Sequence, residues 1–328
     1  MSPPRRRLVG GLDLGGTKIQ AVVLDGRHSV VAEAKQPTPS NGGPEGVVDA
    51  LAATLREVSE AAGVETSELA GVGVGSPGAI DGRNGVVSGA KNLPGEGAQI
   101  PIGASLGELT GAPAYVDNDV TVGVYAEYAL GAAQRSKSLL GVWWGTGVGG
   151  GLVLDGKKWE GRGAAGELGH VVVKIGGARC TCGRKGCLEA YAGRGAMELR
   201  ARHLHKRGHK TELFKIMEKR GRTRLQSGIW ARALEHEDEM AGELIDRAIE
   251  ALGAGIASAV NLLDVSSVVI GGGLGTRLGE PYVARIREAM QPHLFVDENP
   301  PEVALAALGD LGGAIGAALL VPSRKRSG

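Results

Sequence analysis

The sequence lacks any uninterrupted run of about 18 apolar residues, the length that a membrane-spanning helix needs. It also lacks the apolar core of a secretory signal, because Asp13 interrupts the first apolar stretch after the N-terminal arginines. Its charge is nearly balanced, with 37 lysines and arginines against 36 aspartates and glutamates, so it has no basic footprint for nucleic acid or membrane lipid. These absences predict a cytoplasmic protein with neither nucleic acid nor membrane as a partner.

Cysteine is also scarce, and all three cysteines, Cys180, Cys182 and Cys187, lie in one short C-x-C-x4-C segment. A disulfide within C-x-C would be strained and would leave one thiol unpaired, and redox pairs are better served by C-x-x-C. A structural Zn²⁺ site is a closed tetrahedron of thiolate and imidazole ligands. With His170 just upstream, the segment predicts a structural Cys₃His zinc site.

Glycine, by contrast, is abundant, with 56 residues gathered in short clusters between apolar runs. The cluster DLGGTK lies between two predicted strands, where Gly15 and Gly16 let backbone N–H groups face phosphate oxygens. Thr17 adds a hydroxyl and Lys18 a positive charge. Asp13 would place a negative charge beside an anion site, which is explained if Mg²⁺ lies between the carboxylate and the phosphates. An ordinary hairpin turn is the alternative interpretation.

Two parts of the chain repeat the same pattern. Residues 12–26 and 142–156 each contain a strand, a glycine turn with a threonine, a second strand and Val-Leu-Asp-Gly, and Gly15 aligns with Gly145. After each unit comes a helical stretch, 44–62 or 241–263, with apolar residues at helical spacing in the second.

Each of these helical stretches precedes a buried strand that ends in glycines, within 69–80 and 265–276. The repeat predicts two similar α/β lobes facing each other, and a cleft between such lobes is a natural ligand site.

The predicted domains are a small N-terminal lobe, 1–121, and a larger lobe, 122–309, that carries the zinc site. A C-terminal helix, 310–322, is expected to pack back on the first lobe. Residues 196–237 are the most polar stretch and predict exposed helices. Four irregularly spaced histidines in that stretch are expected to be solvated: His203, His205, His209 and His236.

Two familiar nucleotide-binding motifs do not apply. The P-loop pattern G-x-x-x-x-G-K-[ST] is absent. Gly145-x-Gly147-x-x-Gly150 matches the dinucleotide fingerprint, but a strand follows it where that fingerprint needs a helix. The run GGGLG after the apolar strand, with Gly272 and Gly273, could support the sugar and base of a nucleotide, or it could allow close helix packing.

The motifs together resemble the ROK family (repressors, open reading frames and kinases). DLGGTK, GVGSPGAID, NLPG, VDNDV, GTGVGGG, GELGH, CTCGRKGCLE and GGGL stand in the family's order over about residues 8–320. The resemblance is to the zinc-containing glucokinases in particular. It implies an actin-like ATPase fold of two ribonuclease-H-like lobes around a cleft, and transfer of the γ-phosphate of ATP, with Mg²⁺, to the 6-hydroxyl of a hexose. It also implies a homodimer or homotetramer.

The resemblance also implies roles for individual residues. Asp119 is implied as the catalytic base, although Asn118 and Asp119 could equally form a turn or a helix N-cap. The implied sugar contacts are Gly78, Asn92, Asn118, Asp119, Glu167, His170 and Glu189. The implied phosphate contacts are Gly15, Gly16, Thr17, Lys18, Thr146 and Gly147.

The chain departs from the family pattern at Glu96, where an aromatic residue often follows NLPG, and at Val120-Thr121-Val122, where small residues are usual. These departures bear on the choice of sugar, so an N-acetylhexosamine kinase or a fructokinase remains an alternative. A sugar-sensing regulator without catalysis is a further alternative. The glycine loop begins at Asp13, so a preceding DNA-binding helix-turn-helix is not expected.

Overall fold

The computed structural model describes residues 7–90, 93–95 and 97–323. The chain forms two compact units. The second unit is Gly131–Ala307, and the first is formed by the chain up to Leu130 and from Leu308 onward. The predicted boundary at residue 122 falls inside a helix that belongs to the first unit. No helix within the described residues is both long enough and apolar enough to span a bilayer.

The first unit is built on a five-stranded sheet with helices around it. Its strands are β1 (Val9–Leu14), β2 (Lys18–Leu24), β3 (Val30–Pro37), β4 (Val72–Ser76), β5 (Ala79–Asp81), β6 (Val86–Ser88) and β7 (Ala114–Asn118). Its helices are α1 (Gly43–Ala61), α2 (Ile102–Thr110), α3 (Asp119–Leu130) and, from the end of the chain, α11 (Gly312–Ala318).

The sheet order is β3-β2-β1-β4-β7. Strands β1 and β2 form an antiparallel hairpin, with Val9 opposite Leu24, while β4 and β7 run parallel to β1. The separate β5–β6 hairpin follows β4. Strands β1 and β4 are almost fully buried, as expected for the centre of a sheet that is covered on both faces.

Helix α11 packs on β1 and β4 because glycines leave room for it. A Cβ at Gly11 would collide with the carbonyl oxygen of Ala314, and a Cβ at Gly73 would collide with that of Ala317. The segment before the helix is tied to α3, where the Glu127 carboxylate accepts a 2.9 Å bond from Leu308 N–H. Helix α11 is thereby built into the core of the first unit.

The second unit has its own five-stranded sheet and most of the helices. Its strands are β8 (Leu139–Trp144), β9 (Val148–Leu154), β10 (Lys157–Lys158), β11 (Ser267–Gly271) and β12 (Glu302–Leu305). Its helices are α4 (Glu189–Ala192), α5 (Arg194–Lys206), α6 (Leu213–Lys219), α7 (Ser227–Glu235), α8 (Glu239–Leu263), α9 (Gly272–Leu278) and α10 (Glu280–Met290).

This sheet has the order β10-β9-β8-β11-β12 and repeats the topology of the first. Strands β8 and β9 form the antiparallel hairpin, and β11 and β12 run parallel to β8. Gly15 and Gly145 occupy the corresponding hairpin turns. The predicted internal repeat and the two ribonuclease-H-like lobes are therefore confirmed.

Helix α8 follows its predicted pattern, with Leu244, Ile249 and Ile256 buried, and Asp238 caps its start by accepting a 2.8 Å bond from Ala241 N–H. The helices of 196–237 are less exposed than predicted. Ile229 and Trp230 of α7 are buried, because this face of the polar stretch packs into the core of the second unit. The four histidines of the stretch are exposed.

Candidate functional site

The turn between β1 and β2 forms the glycine loop of the first unit. Gly15 N–H donates to the Lys18 carbonyl at 2.9 Å, and the Thr38 hydroxyl donates to the Gly15 carbonyl at 2.6 Å. Gly16 and Thr17 lie exposed at the tip. The loop is therefore held at its base, with its backbone accessible at the tip.

Asp13 and Lys18 flank this loop with opposite charges. Lys18 Nζ donates to Gln20 Oε1 at 2.8 Å and to Asp310 Oδ2 at 3.2 Å. Burial, followed by the negative charge of Asp119, raises the pKa of Asp13 to about 6. The first unit thus places three carboxylates and one ammonium group around the loop.

The raised pKa of Asp13 predicts a pH-dependent stability. The folded chain binds the proton more tightly than the unfolded chain, so the Asp13 charge destabilises the fold above about pH 6 and not below about pH 4. We expect Asp13→Asn to raise the unfolding free energy at pH 7 by on the order of 1 kcal/mol. The difference between the variant and the wild type should disappear toward pH 4. Thermal melts of the ligand-free protein across this range measure it.

The matched control is Asp49→Asn, which makes the same chemical change on the exposed side of α1. It should leave the melting temperature unchanged at every pH. A lower melting temperature for Asp13→Asn at pH 7 would contradict the prediction.

Asn118 and Asp119 stand where β7 passes into α3. Asn118 Oδ1 accepts bonds from Val120 N–H at 3.0 Å and Thr121 N–H at 3.1 Å, so Asn118 is the helix N-cap. Burial raises the pKa of Asp119, against the opposing effect of its bond from Val120 N–H. From the sequence, a helix cap and a catalytic carboxylate were both possible for this pair. In the structure Asn118 is the cap, and Asp119 is left as a largely buried carboxylate.

Gly78, another predicted sugar contact, lies between β4 and β5. Gly78 is exposed with φ 101°, and a Cβ there would lie 2.6 Å from the Ser88 carbonyl, so only glycine fits. Asn92, together with Glu96, lies outside the described residues.

The turn between β8 and β9 is the counterpart loop in the second unit. Thr146 is exposed at its tip, and its hydroxyl accepts a 2.6 Å bond from Arg194 Nη2. Arg194 N–H and Gly195 N–H donate to the carbonyls of Gly145 and Thr146. The start of α5 therefore holds this loop, 48 residues away in the chain.

The glycine run at the start of α9 lies beside the same loop. Gly272 has φ 80°, and a Cβ there would collide with the backbone of Trp144, so close packing accounts for this glycine. Gly273 is exposed, and its backbone nitrogen approaches Gly145. Of the two interpretations from the sequence, packing applies to Gly272, and the open surface is at Gly273.

The four predicted zinc ligands lie together in the second unit. One ligand atom from each of His170, Cys180, Cys182 and Cys187 can be chosen so that all lie within 4.8 Å of one another. Cys180 Sγ is 3.9 Å from His170 Nδ1, and Cys182 Sγ is 3.7 Å from Cys187 Sγ. The set is of the kind and number that tetrahedral Zn²⁺ takes.

The surroundings of Cys182 and Cys187 shift the pKa values of these two thiols in opposite directions. A bond from the Arg184 backbone N–H lowers the pKa of Cys182 to about 6, while burial raises the pKa of Cys187 to about 11. A buried thiol of this kind is stabilised as a thiolate by a cation, so the donor chemistry fits a metal.

Glu189 connects this cluster with the β8–β9 loop. Its Oε2 accepts a 3.0 Å bond from Val148 N–H, while its Oε1 lies 3.3 Å from the Thr181 hydroxyl and 3.9 Å from Cys180 Sγ. Glu167 is exposed, with Oε2 3.9 Å from His170 Nε2. His170 thus turns Nδ1 to the thiols and Nε2 to Glu167.

Comparison with known proteins decides the family. The profile of the ROK family matches residues 9–324. The chain belongs to the ROK family. The glucokinase of Thermotoga maritima is 32% identical over 326 residues, which cover 98% of this chain and 99% of that protein.

Two solved structures show the same fold. The ROK hexokinase of Thermus thermophilus is 37% identical with a TM-score of 0.79, covering 95% of this chain and 97% of its own. The ROK family glucokinase of Streptomyces griseus, solved with glucose and AMPPNP, is 30% identical with a TM-score of 0.78 over 95% and 98% of the two chains. The actin-like ATPase fold of this ROK protein follows from these likenesses.

Sequence reasoning missed two charged residues of these sites. Asp310 reaches Lys18 from the opposite end of the chain, and Arg194 reaches Thr146 from the start of α5. No motif marked either residue. The signal that was available for Arg194 is its position just after the zinc segment, at the start of a predicted helix.

Proposed function

We propose that this ROK protein is an ATP-dependent glucokinase that transfers the γ-phosphate of ATP to the 6-hydroxyl of glucose. The observation that carries the proposal is Asp119, a largely buried carboxylate at the start of α3, in the same unit as the glycine loop with Asp13 and Lys18. Membership of a family whose compared members are named glucokinase and hexokinase supports it.

Asp119 is proposed as the general base. A sugar hydroxyl is a poor nucleophile at neutral pH, and a carboxylate bonded to it can accept its proton as the bond to phosphorus forms. The raised pKa of Asp119 makes it a better proton acceptor than an ordinary carboxylate. Most of the remaining rate enhancement in phosphoryl transfer comes from positioning and charge neutralisation.

The two glycine loops are proposed to bind the phosphates of ATP. In the first unit the proposed phosphate contacts are Gly15, Gly16, Thr17 and Lys18, and in the second they are Thr146 and Gly147. Gly272 and Gly273 are proposed to border the nucleotide. Asp13 offers carboxylate oxygens, the ligands that Mg²⁺ prefers, and the bound ion would neutralise charge on the phosphates.

The proposed sugar contacts are side chains that can accept from hydroxyl groups or donate to them. In the second unit these are Glu167, His170 and Glu189, and in the first they are Asn118 and Asp119, with the backbone at Gly78. Asn92 completes the proposed set. In Asn118 the Oδ1 atom is occupied by the helix cap, which leaves its Nδ2 group for a hydroxyl.

Zinc is proposed as a structural ion held by His170, Cys180, Cys182 and Cys187. Four protein ligands close the tetrahedron, so no position is left for a reacting water or phosphate. The ion would fix the segment from which Glu189 projects. We further propose that the enzyme acts in the cytoplasm and as a homodimer or homotetramer.

A substrate panel tests the proposed function. Initial rates with ATP and Mg²⁺ are measured for glucose, fructose and the N-acetylhexosamines, with glucose expected to give the highest kcat/KM. A preference of about tenfold or more for another sugar would favour the alternative kinase within the family. Sugar binding without turnover of any sugar would instead indicate a regulator.

A further inference from the structure

Arg194 is a half-buried arginine at the edge of the β8–β9 loop. It is the first residue of α5, and its guanidinium donates to the Thr146 hydroxyl at 2.6 Å and the Ser227 hydroxyl at 3.4 Å. Both partners are neutral. Arginine carries five N–H donors, so these two bonds leave further donors for another group.

The guanidinium of Arg194 has no carboxylate in direct contact among the described residues. Within the described residues, no carboxylate oxygen forms an ion pair with its guanidinium. The nearby Glu198 carboxylate is bonded to Arg202 at 2.8 Å and to Arg224 at 3.0 Å. Burial lowers the pKa of Arg194, the charge of Glu198 opposes this shift, and the charge of Arg224 lowers the pKa further.

The position of Arg194 at the start of α5 is also unfavourable for a cation. The first turn of a helix carries a partial positive charge, so cations are favoured at the other end. A cation at the first residue of α5, without a carboxylate in contact, goes against this preference, and such exceptions are typical of functional positions. An anion bound at this point would neutralise the charge of the guanidinium and contact the exposed loop.

We propose that Arg194 binds phosphate oxygens of the nucleotide that donates the phosphoryl group. The proposal rests on the proposed kinase function and extends it to a residue outside the glycine loops. The planar guanidinium suits the paired oxygens of a phosphate, whereas neither a neutral sugar nor adenine offers it a charge. Exposed Gly273 and half-buried Ser227 border the same place, so a nucleotide there would meet Arg194 through its phosphates.

Calorimetry with two probes tests the proposal without turnover. Binding of AMPPNP with Mg²⁺ and binding of adenosine are compared for the wild type and for Arg194→Gln, which keeps a polar side chain and removes the charge. We expect AMPPNP to bind about 10- to 100-fold more weakly, as for the loss of a charge-assisted hydrogen bond, and adenosine to bind within about twofold. Glucose affinity should not change.

The matched control is Arg224→Gln, which removes the same charge from an exposed neighbour and should leave AMPPNP affinity within about threefold. Equal AMPPNP affinity in Arg194→Gln and the wild type overturns the proposal. So does an equal loss for adenosine and AMPPNP, because that pattern indicates a structural role. If Arg194→Gln does not fold, Arg194→Lys decides. We expect it to bind AMPPNP about fivefold more weakly with adenosine unchanged, and wild-type affinity would overturn the proposal.

These outcomes are distinct from failure of the proposed function. A folded wild type that neither binds AMPPNP nor phosphorylates any sugar would refute the kinase itself, and with it the proposal for Arg194. A wild type that does both, beside an unaffected Arg194→Gln, would refute the role of Arg194 alone.

Discussion

Asp119→Asn is expected to lower kcat for glucose phosphorylation by about 10²- to 10⁴-fold, the range that a positioned general base contributes. The amide has the size of the carboxylate but cannot accept the proton from the 6-hydroxyl. It retains one acceptor oxygen, so the bond from Val120 N–H and the start of α3 should persist. Coupled-enzyme rates at saturating ATP and glucose measure the effect.

Binding and stability separate this loss from misfolding. Because Asp119 is largely buried and its pKa is raised, removing its charge should not lower the melting temperature. The dissociation constant of glucose, measured by calorimetry, should stay within about fivefold of the wild type, since only one hydrogen bond changes in character.

Asp117→Asn provides the matched control on β7, the strand that precedes α3. It makes the same chemical change and keeps an acceptor for the 2.8 Å bond from Asn118 N–H. Its kcat should remain within about threefold of the wild type. Near wild-type turnover in Asp119→Asn would contradict the assignment of the base, and an equal loss in Asp117→Asn would point to a disturbance of β7.

The fold was predictable because its information is local and repeated. The order strand, glycine turn, strand occurs twice in the sequence. Each copy is followed by an amphipathic helix and an apolar strand, and both sheets follow that order. The grouping of His170 with the three cysteines was predictable for a similar reason, because the cysteines lie in one short segment.

The missed features depend on contacts between distant parts of the chain. Asp310 meets Lys18 across 292 positions, and nothing near either residue predicts the pairing. Likewise, the position of Gly272 against Trp144 depends on how α9 packs on β8, so the sequence left packing and ligand contact equally open. Burial of Trp230 was missed because its short apolar helix stands between two strongly charged stretches of the chain.

Loss of a zinc ligand is expected to reduce stability and sugar affinity together. Cys187 is fully buried, and the next residue, Leu188, belongs to the core of the second unit. Cys187→Ser should lower bound zinc to well under one ion per chain. It should also lower the melting temperature by roughly 10 °C, because a structural ion stabilises the fold by several kcal/mol. Elemental analysis and thermal melts give these two values.

The effect on sugar binding follows from the position of Glu189. Its carboxylate lies between the cluster and Val148, so freeing the segment would leave it without a fixed direction. We expect the KM for glucose to rise about tenfold while kcat at saturating glucose stays within about threefold. That split between KM and kcat is what distinguishes a structural ion from one that takes part in phosphate transfer.

Lys185→Ala is the control within the same segment, because Lys185 is exposed and offers no ligand atom. Its zinc content, melting temperature and KM should match those of the wild type. A Cys187→Ser protein with full zinc would contradict the ligand set. A zinc-free wild type with unchanged stability and glucose affinity would remove the ion from the proposal, and a fall in kcat at constant KM would give zinc a role in the chemistry.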